Sequence, residues 1–138
     1  MQRTLEIKND ISELVVMNRF LEETVELFGL SDPLRMNLNL VLEEAVSNIL
    51  FYAYKKEEKD KKVVISIALE GDLLTIVLTD TGPFFDPTAR KDPDVSLSGE
   101  ERPIGGLGIF LIKKMMDEVA YKRENGRNVF TMRKKIKK

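Results

Sequence analysis

Residues 63–80 read Val63-Val64-Ile65-Ser66-Ile67-Ala68-Leu69-Glu70-Gly71-Asp72-Leu73-Leu74-Thr75-Ile76-Val77-Leu78-Thr79-Asp80. Val63, Ile65, Ile67 and Leu69 alternate with Val64, Ser66, Ala68 and Glu70, the period-two pattern of a strand with one buried face. Gly71-Asp72 is a two-residue hairpin turn with glycine first, and Leu74, Ile76 and Leu78 carry the alternation back to Asp80. A hairpin with one apolar face needs a second layer to cover it. The flanking sequence supplies one.

Upstream, residues 3–8 alternate apolar and charged like a short half-buried strand. Asn9, Asp10 and Ser12 offer helix caps, and Leu14, Val15, Phe20, Leu21, Val25, Leu27 and Phe28 form an amphipathic run that stops at Gly29. Ser31 or Asp32 with Pro33 opens a second helix, expected to run to about Lys56 before the charged loop 55–62. Downstream, Gly82, Pro83, Pro87, Pro93, Gly99 and Pro103 forbid regular elements over 81–104. A stretch of that length in a small domain suggests a functional lid or an insert. Gly105, Gly106 and Gly108 then lead into a third helix carrying Ile112, Met115, Met116 and Val119. A closing hairpin, 119–123 with 128–134, turns at Glu124–Arg127. The order β-α-α-β-β-loop-α-β-β predicts an α+β two-layer sandwich, a mixed, mostly antiparallel sheet with helices on one face. Residues 1–138 are expected to form one domain.

Composition narrows the chemistry. With 22 basic against 23 acidic residues and a net charge of −1, the chain does not resemble a nucleic-acid or membrane-surface binder. It has no cysteine and no histidine, which removes disulfides, thiolate and imidazole metal sites, His-based triads and a phosphohistidine. No segment reaches the length of a membrane span and no signal peptide opens the chain, so a cytoplasmic protein is expected. Carboxylates, amides, hydroxyls and backbone amides remain as working groups.

Three places concentrate such groups. At 100° per residue, Leu38, Val41, Leu42, Ala45, Ile49 and Ala53 form one helical stripe. Glu44 and Asn48 border it together, whereas Glu43 points to the far side, into water. Standing alone, the Glu44–Asn48 pair reads as a solvated helix edge. Asp80-Thr81-Gly82 ends an apolar strand, placing a carboxylate at the mouth of the sheet beside a glycine that lets a flat ligand approach. By itself it is a turn. Gly105-Gly106-Leu107-Gly108 opens a helix, where free amides and the helix dipole favour phosphate. It is neither a P-loop nor a dinucleotide fingerprint.

Order and spacing join the three. Glu44-Ala45-Val46-Ser47-Asn48, then Asp80-Thr81-Gly82-Pro83-Phe84-Phe85-Asp86-Pro87, then Gly105-Gly106-Leu107-Gly108-Ile109-Phe110-Leu111 resemble the N, G1 and G2 boxes of the Bergerat-fold (GHKL) ATPases. The small size narrows the resemblance to the anti-sigma factor serine/threonine kinases of bacterial partner switching. Gly126-Arg127-Asn128-Val129-Phe130-Thr131 resembles the final hairpin of that subfamily.

The resemblance implies ATP and Mg²⁺ as cofactors, Glu44 as general base and Asn48 as the Mg²⁺ ligand. Asp80 would take the adenine amino group with Gly82 beside it and Thr131 supporting the same network. Gly105, Gly106, Leu107 and Gly108 would contact phosphates, and residues 87–104 would be the ATP lid. A STAS-domain antagonist is the implied substrate, with a sigma factor as alternative partner, Arg19 as a partner contact, and a homodimer as a common assembly. One departure stands out: Tyr52-Ala53-Tyr54 occupies the place where relatives often carry His, then Gly or Ala, then Tyr. The competing readings are an ATP-binding module without catalysis, a detached histidine-kinase ATPase domain, and a structural α/β domain with coincidental motifs.

Overall fold

The computed structural model describes residues 1–89 and 106–136. Its strands are β1 (Gln2–Lys8), β2 (Lys62–Glu70), β3 (Leu73–Asp80), β4 (Glu118–Glu124) and β5 (Arg127–Lys135), and its helices are α1 (Leu14–Phe28), α2 (Asp32–Asn48) and α3 (Gly106–Met115). The β2–β3 hairpin lies inside a five-stranded sheet of order β1-β2-β3-β5-β4. Every pairing among the described residues is antiparallel. The register pairs Val63 with Asp80 and Leu69 with Leu74, so the alternating set falls on one face as its period requires. Gly71 takes φ +61°, the left-handed conformation this turn demands.

The apolar stripes of the helices cover that face. Val63, Ile65, Ile67, Leu74, Ile76 and Leu78 are fully buried beneath Met17 and Leu21 of α1, Leu38, Val41, Leu42 and Ala45 of α2, and Ile112 of α3. Val15 and Leu27, grouped with the α1 stripe by sequence, lie on its outer side. Asp10 caps the 3₁₀ turn that leads into α1 by accepting from the Ser12 amide. Gly29 ends α1 at φ +68°, with the Leu30 amide bonded back to the Val25 carbonyl. Ser31 caps α2 and Pro33 stands in its first turn.

The end of α2 departs from expectation. Regular helix stops at Asn48, a π-helical turn covers Ile49–Ala53, and Tyr54 is already extended. The helix does not continue to Lys56 because two anchors hold the chain elsewhere. Tyr54 Oη donates to the Lys62 carbonyl at 2.6 Å and accepts from the Thr81 amide at 2.9 Å. Buried Asn9 donates to the carbonyls of Lys55 and Glu58. Of the expected lid, Pro87–Ala89 form a 3₁₀ turn; residues 90–104 lie outside the described residues.

Candidate functional site

The end of β3 meets the start of β5 on the helix-covered face. Asp80 and Asn128 are cross-strand partners, 3% and 2% exposed. Asp80 Oδ1 accepts from the Gly82 amide at 2.9 Å and from Asn128 Nδ2 at 2.9 Å. Among the described residues Oδ2 has no hydrogen-bond partner, which leaves it to accept from a ligand. Burial raises the Asp80 pKa above its ordinary value, opposed by the two hydrogen bonds and by the charge of Arg123. Gly82 is required sterically: a Cβ there would lie 2.9 Å from the Ala53 carbonyl oxygen and 3.1 Å from Asp80 Oδ1. The π turn thus abuts the loop after β3, and Tyr54, whose pKa burial raises, pins the same junction through Thr81.

Asn48 comes to this place from α2. It is 7% exposed and, among the described residues, its Nδ2 has no hydrogen-bond partner. Leaving a buried donor unpaired costs roughly 1–3 kcal/mol, so the atom marks a place for a hydrogen-bond acceptor that completes it. Asn48 and Asp80 line one cavity with Ala45, Ile49, Phe85 and Tyr121. Its free volume is about 10 Å³, room for one water. Across the α2–α3 contact, a Cβ on Gly108 would fall 2.5 Å from Glu44 Oε2. The first and third sequence motifs therefore touch.

Other expected residues fall differently. Glu43 does not point freely into water: it is half-buried, its carboxylate accepts from Asn18 Nδ2 of α1 at 3.0 Å, and Asn18 Oδ1 accepts from Asn39 at 2.8 Å. The wheel treats the helix as isolated, whereas α1 packs alongside. Thr131 does not join the Asp80 network. It pairs with Val77 on the opposite face of the sheet, because it lies three positions, an odd number, beyond Asn128 and strand faces alternate. Arg19 is exposed on α1, away from the cavity lining. Gly106 and Leu107 open α3, while Gly105 lies outside the described residues.

Sequence reading missed Asn128. Its Oδ1 accepts from Tyr121 Oη (2.6 Å), Arg123 Nη1 (3.1 Å) and the Phe85 amide (3.3 Å), and its Nδ2 also donates to the Pro83 carbonyl at 2.8 Å. Arg123 Nη1 reaches the Gly82 carbonyl at 2.7 Å. The available signal was a polar residue in an inward position of an otherwise apolar strand.

A two-layer α+β sandwich with α2, the strand-end carboxylate and the glycine-opened α3 around one cavity defines a Bergerat-type ATP-binding fold. The chain belongs to the histidine kinase-like ATPase domain family, whose model matches residues 7–134. It is 34% identical over 97 residues to the serine-protein kinase RsbW of Listeria monocytogenes, covering 67% of this chain and 61% of that protein. It is 35% identical over 103 residues to RsbW of Staphylococcus epidermidis, covering 72% and 64%. The chain thus spans somewhat under two thirds of the length of these curated relatives. In fold it resembles the RsbU and RsbW domains of a Mycobacterium tuberculosis protein, at TM-score 0.67, 15% identity, and 96% of this chain against 32% of that one. It also resembles a chain of the SiaB–SiaC complex of Pseudomonas aeruginosa, at TM-score 0.60, 18% identity, and 96% against 89%. Among the described residues no helix is long and apolar enough to cross a membrane.

Proposed function

We propose that this domain is an ATP-dependent protein serine/threonine kinase of a partner-switching system, phosphorylating a STAS-type antagonist. The observation that carries the reading is the buried Asp80 with a carboxylate oxygen uncommitted among the described residues, sharing a cavity with an Asn48 whose Nδ2 is unpaired among them. In this reading Asp80 accepts the adenine amino group and Gly82 lets the base lie close. The amides of residues 105–108 receive phosphate oxygens at the start of α3. Asn48 suits Mg²⁺ through its carboxamide oxygen. Among the described residues no cluster of three or more acidic side chains competes for a metal, and an ion held by one protein ligand plus nucleotide phosphates is ordinary for Mg²⁺. When bound, the ion neutralises phosphate charge. The acceptor hydroxyl oxygen forms the new bond to the γ-phosphorus as the bond to the β–γ bridging oxygen breaks, ADP leaves, and Glu44 takes the hydroxyl proton.

The cavity has room for about one water, so a purine enters only by displacing a wall. Phe85 and Pro87 belong to the wall outside the α-helices and strands, and their movement is the least costly. Phosphorylation adds about −1.5 to −2 charge to the acceptor, and facing Glu44 and Asp80 that charge favours release. A sigma factor as alternative partner, Arg19 as a partner contact, a homodimer and a cytoplasmic setting complete the reading. The experiment is incubation with γ-labelled ATP, Mg²⁺ and a candidate STAS protein, with the modified residue located by mass spectrometry. Label on a Ser or Thr supports the kinase. ATP binding without transfer supports a sequestering module, and label on His supports a sensor-kinase domain.

A further inference from the structure

Asn128 makes five hydrogen bonds while almost fully buried. Two of its partners settle which way its amide points. The Phe85 N–H and the Arg123 guanidinium can only donate, so the atom facing them must be the carbonyl oxygen and Nδ2 must face Asp80. Asn128 is therefore an obligate donor to Asp80 Oδ1. With the Gly82 amide donating to that same oxygen, the carboxylate is held against rotation, and Oδ2 is the oxygen left uncommitted.

Adenine and guanine differ at the atom such an oxygen meets. Adenine presents an amino donor and guanine a carbonyl acceptor at the same ring position. A carboxylate locked with a bare oxygen outward accepts from the first and repels the second. One free to rotate, or bridged by water, tolerates both. Resting on the reading of this cavity as a nucleotide site, we propose that Asn128 is a positioning residue that sets base selectivity by fixing the orientation of Asp80. Tyr121 and Arg123, on β4, act one step further out by fixing Asn128.

Calorimetric affinities for Mg-ATP and Mg-GTP are compared for wild type and Asn128→Leu, which keeps the branching of the side chain and removes the donor. Wild type should prefer ATP. Asn128→Leu should lose about tenfold in ATP affinity, the usual value of one hydrogen bond, with GTP affinity unchanged or improved, so that the ratio narrows by at least that factor. If Asn128→Leu fails to fold by thermal melting, Tyr121→Phe with Arg123→Leu strips two of the three donors that orient the amide and should narrow the ratio by a smaller factor. Equal loss of both nucleotides, or an unchanged ratio, would overturn the proposal while leaving the nucleotide site standing. Wild type that binds neither nucleotide would overturn both.

Discussion

Gly108 separates catalytic placement from stability in a single substitution. In Gly108→Ala the new Cβ lies 2.5 Å from Glu44 Oε2, whereas ordinary contact begins at 3.4 Å, so the oxygen must give by about 0.9 Å. The next nearest atoms, Glu44 Cδ at 3.4 Å and Cβ at 3.6 Å, are already at acceptable distance. Only the tip of a flexible side chain has to move, and a torsion change in Glu44 suffices. Alanine also improves on glycine by up to about 1 kcal/mol within a helix, so the melting temperature should hold or rise. The chemistry should suffer. A displacement near 1 Å in a reacting group costs about 10²-fold in rate, or roughly 2.7 kcal/mol. The assay is single-turnover transfer from saturating Mg-ATP to the acceptor protein, beside a thermal melt and an ATP titration. A stable variant that binds ATP and transfers at the wild-type rate would refute Glu44 as the base, and a loss of stability beyond about 2 kcal/mol would refute the claim that only a side-chain tip yields.

Asp80→Asn should leave the apo protein at least as stable at pH 7 while weakening ATP by roughly 1.5–3 kcal/mol. Burial raises the folded-state pKa of Asp80 above its unfolded value of 3.8, so wild-type stability falls as pH rises from there through the folded pKa; the advantage of the variant should shrink on acidification through that window, and a variant less stable at pH 7 would refute the burial account. Gly82→Ala places its Cβ 2.9 Å from a backbone carbonyl that no side-chain rotation can move, and should cost about 1–3 kcal/mol in urea unfolding. Glu43→Ala removes the acceptor for Asn18 Nδ2 and should cost about 0.5–1.5 kcal/mol with transfer intact, so loss of transfer at unchanged stability would reverse the roles of the adjacent glutamates.

The alternation of β2 and β3, the Gly29 stop of α1, the Ser31 cap of α2 and the closing hairpin were all legible, because each is decided within a few residues by period and turn chemistry. The pairing of Asp80 with the Gly82 amide was implicit in Asp80-Thr81-Gly82 for the same reason. What escaped depends on distant segments. Glu43 reads as solvated until α1 is laid beside α2 and Asn18 arrives 25 positions away. The π turn at Ile49–Ala53 needs anchors from β2, from the loop after β3 and from Asn9. Thr131 was placed by resemblance, and the strand period moves it to the far face while bringing Asn128 to the near one.

The same comparison explains why the site, unlike the core, resists reading from composition. Core positions are chosen by one requirement, to be apolar on the covered side, and Ile65, Ile76 and Leu78 satisfy it wherever they sit along the strand. Asp80, Asn128 and Asn48 violate that requirement on the same covered side, at three segments far apart in sequence. Asp80 and Asn128 offset each other through one hydrogen bond; Asn48 is offset by nothing among the described residues. A buried amide left so costs stability at every moment the cavity is empty, and an apolar replacement would relieve it. Its presence makes sense when an acceptor completes Nδ2, and in the proposed reading an oxygen-rich triphosphate would accept from Asn48 while an amino-bearing base would donate to Asp80.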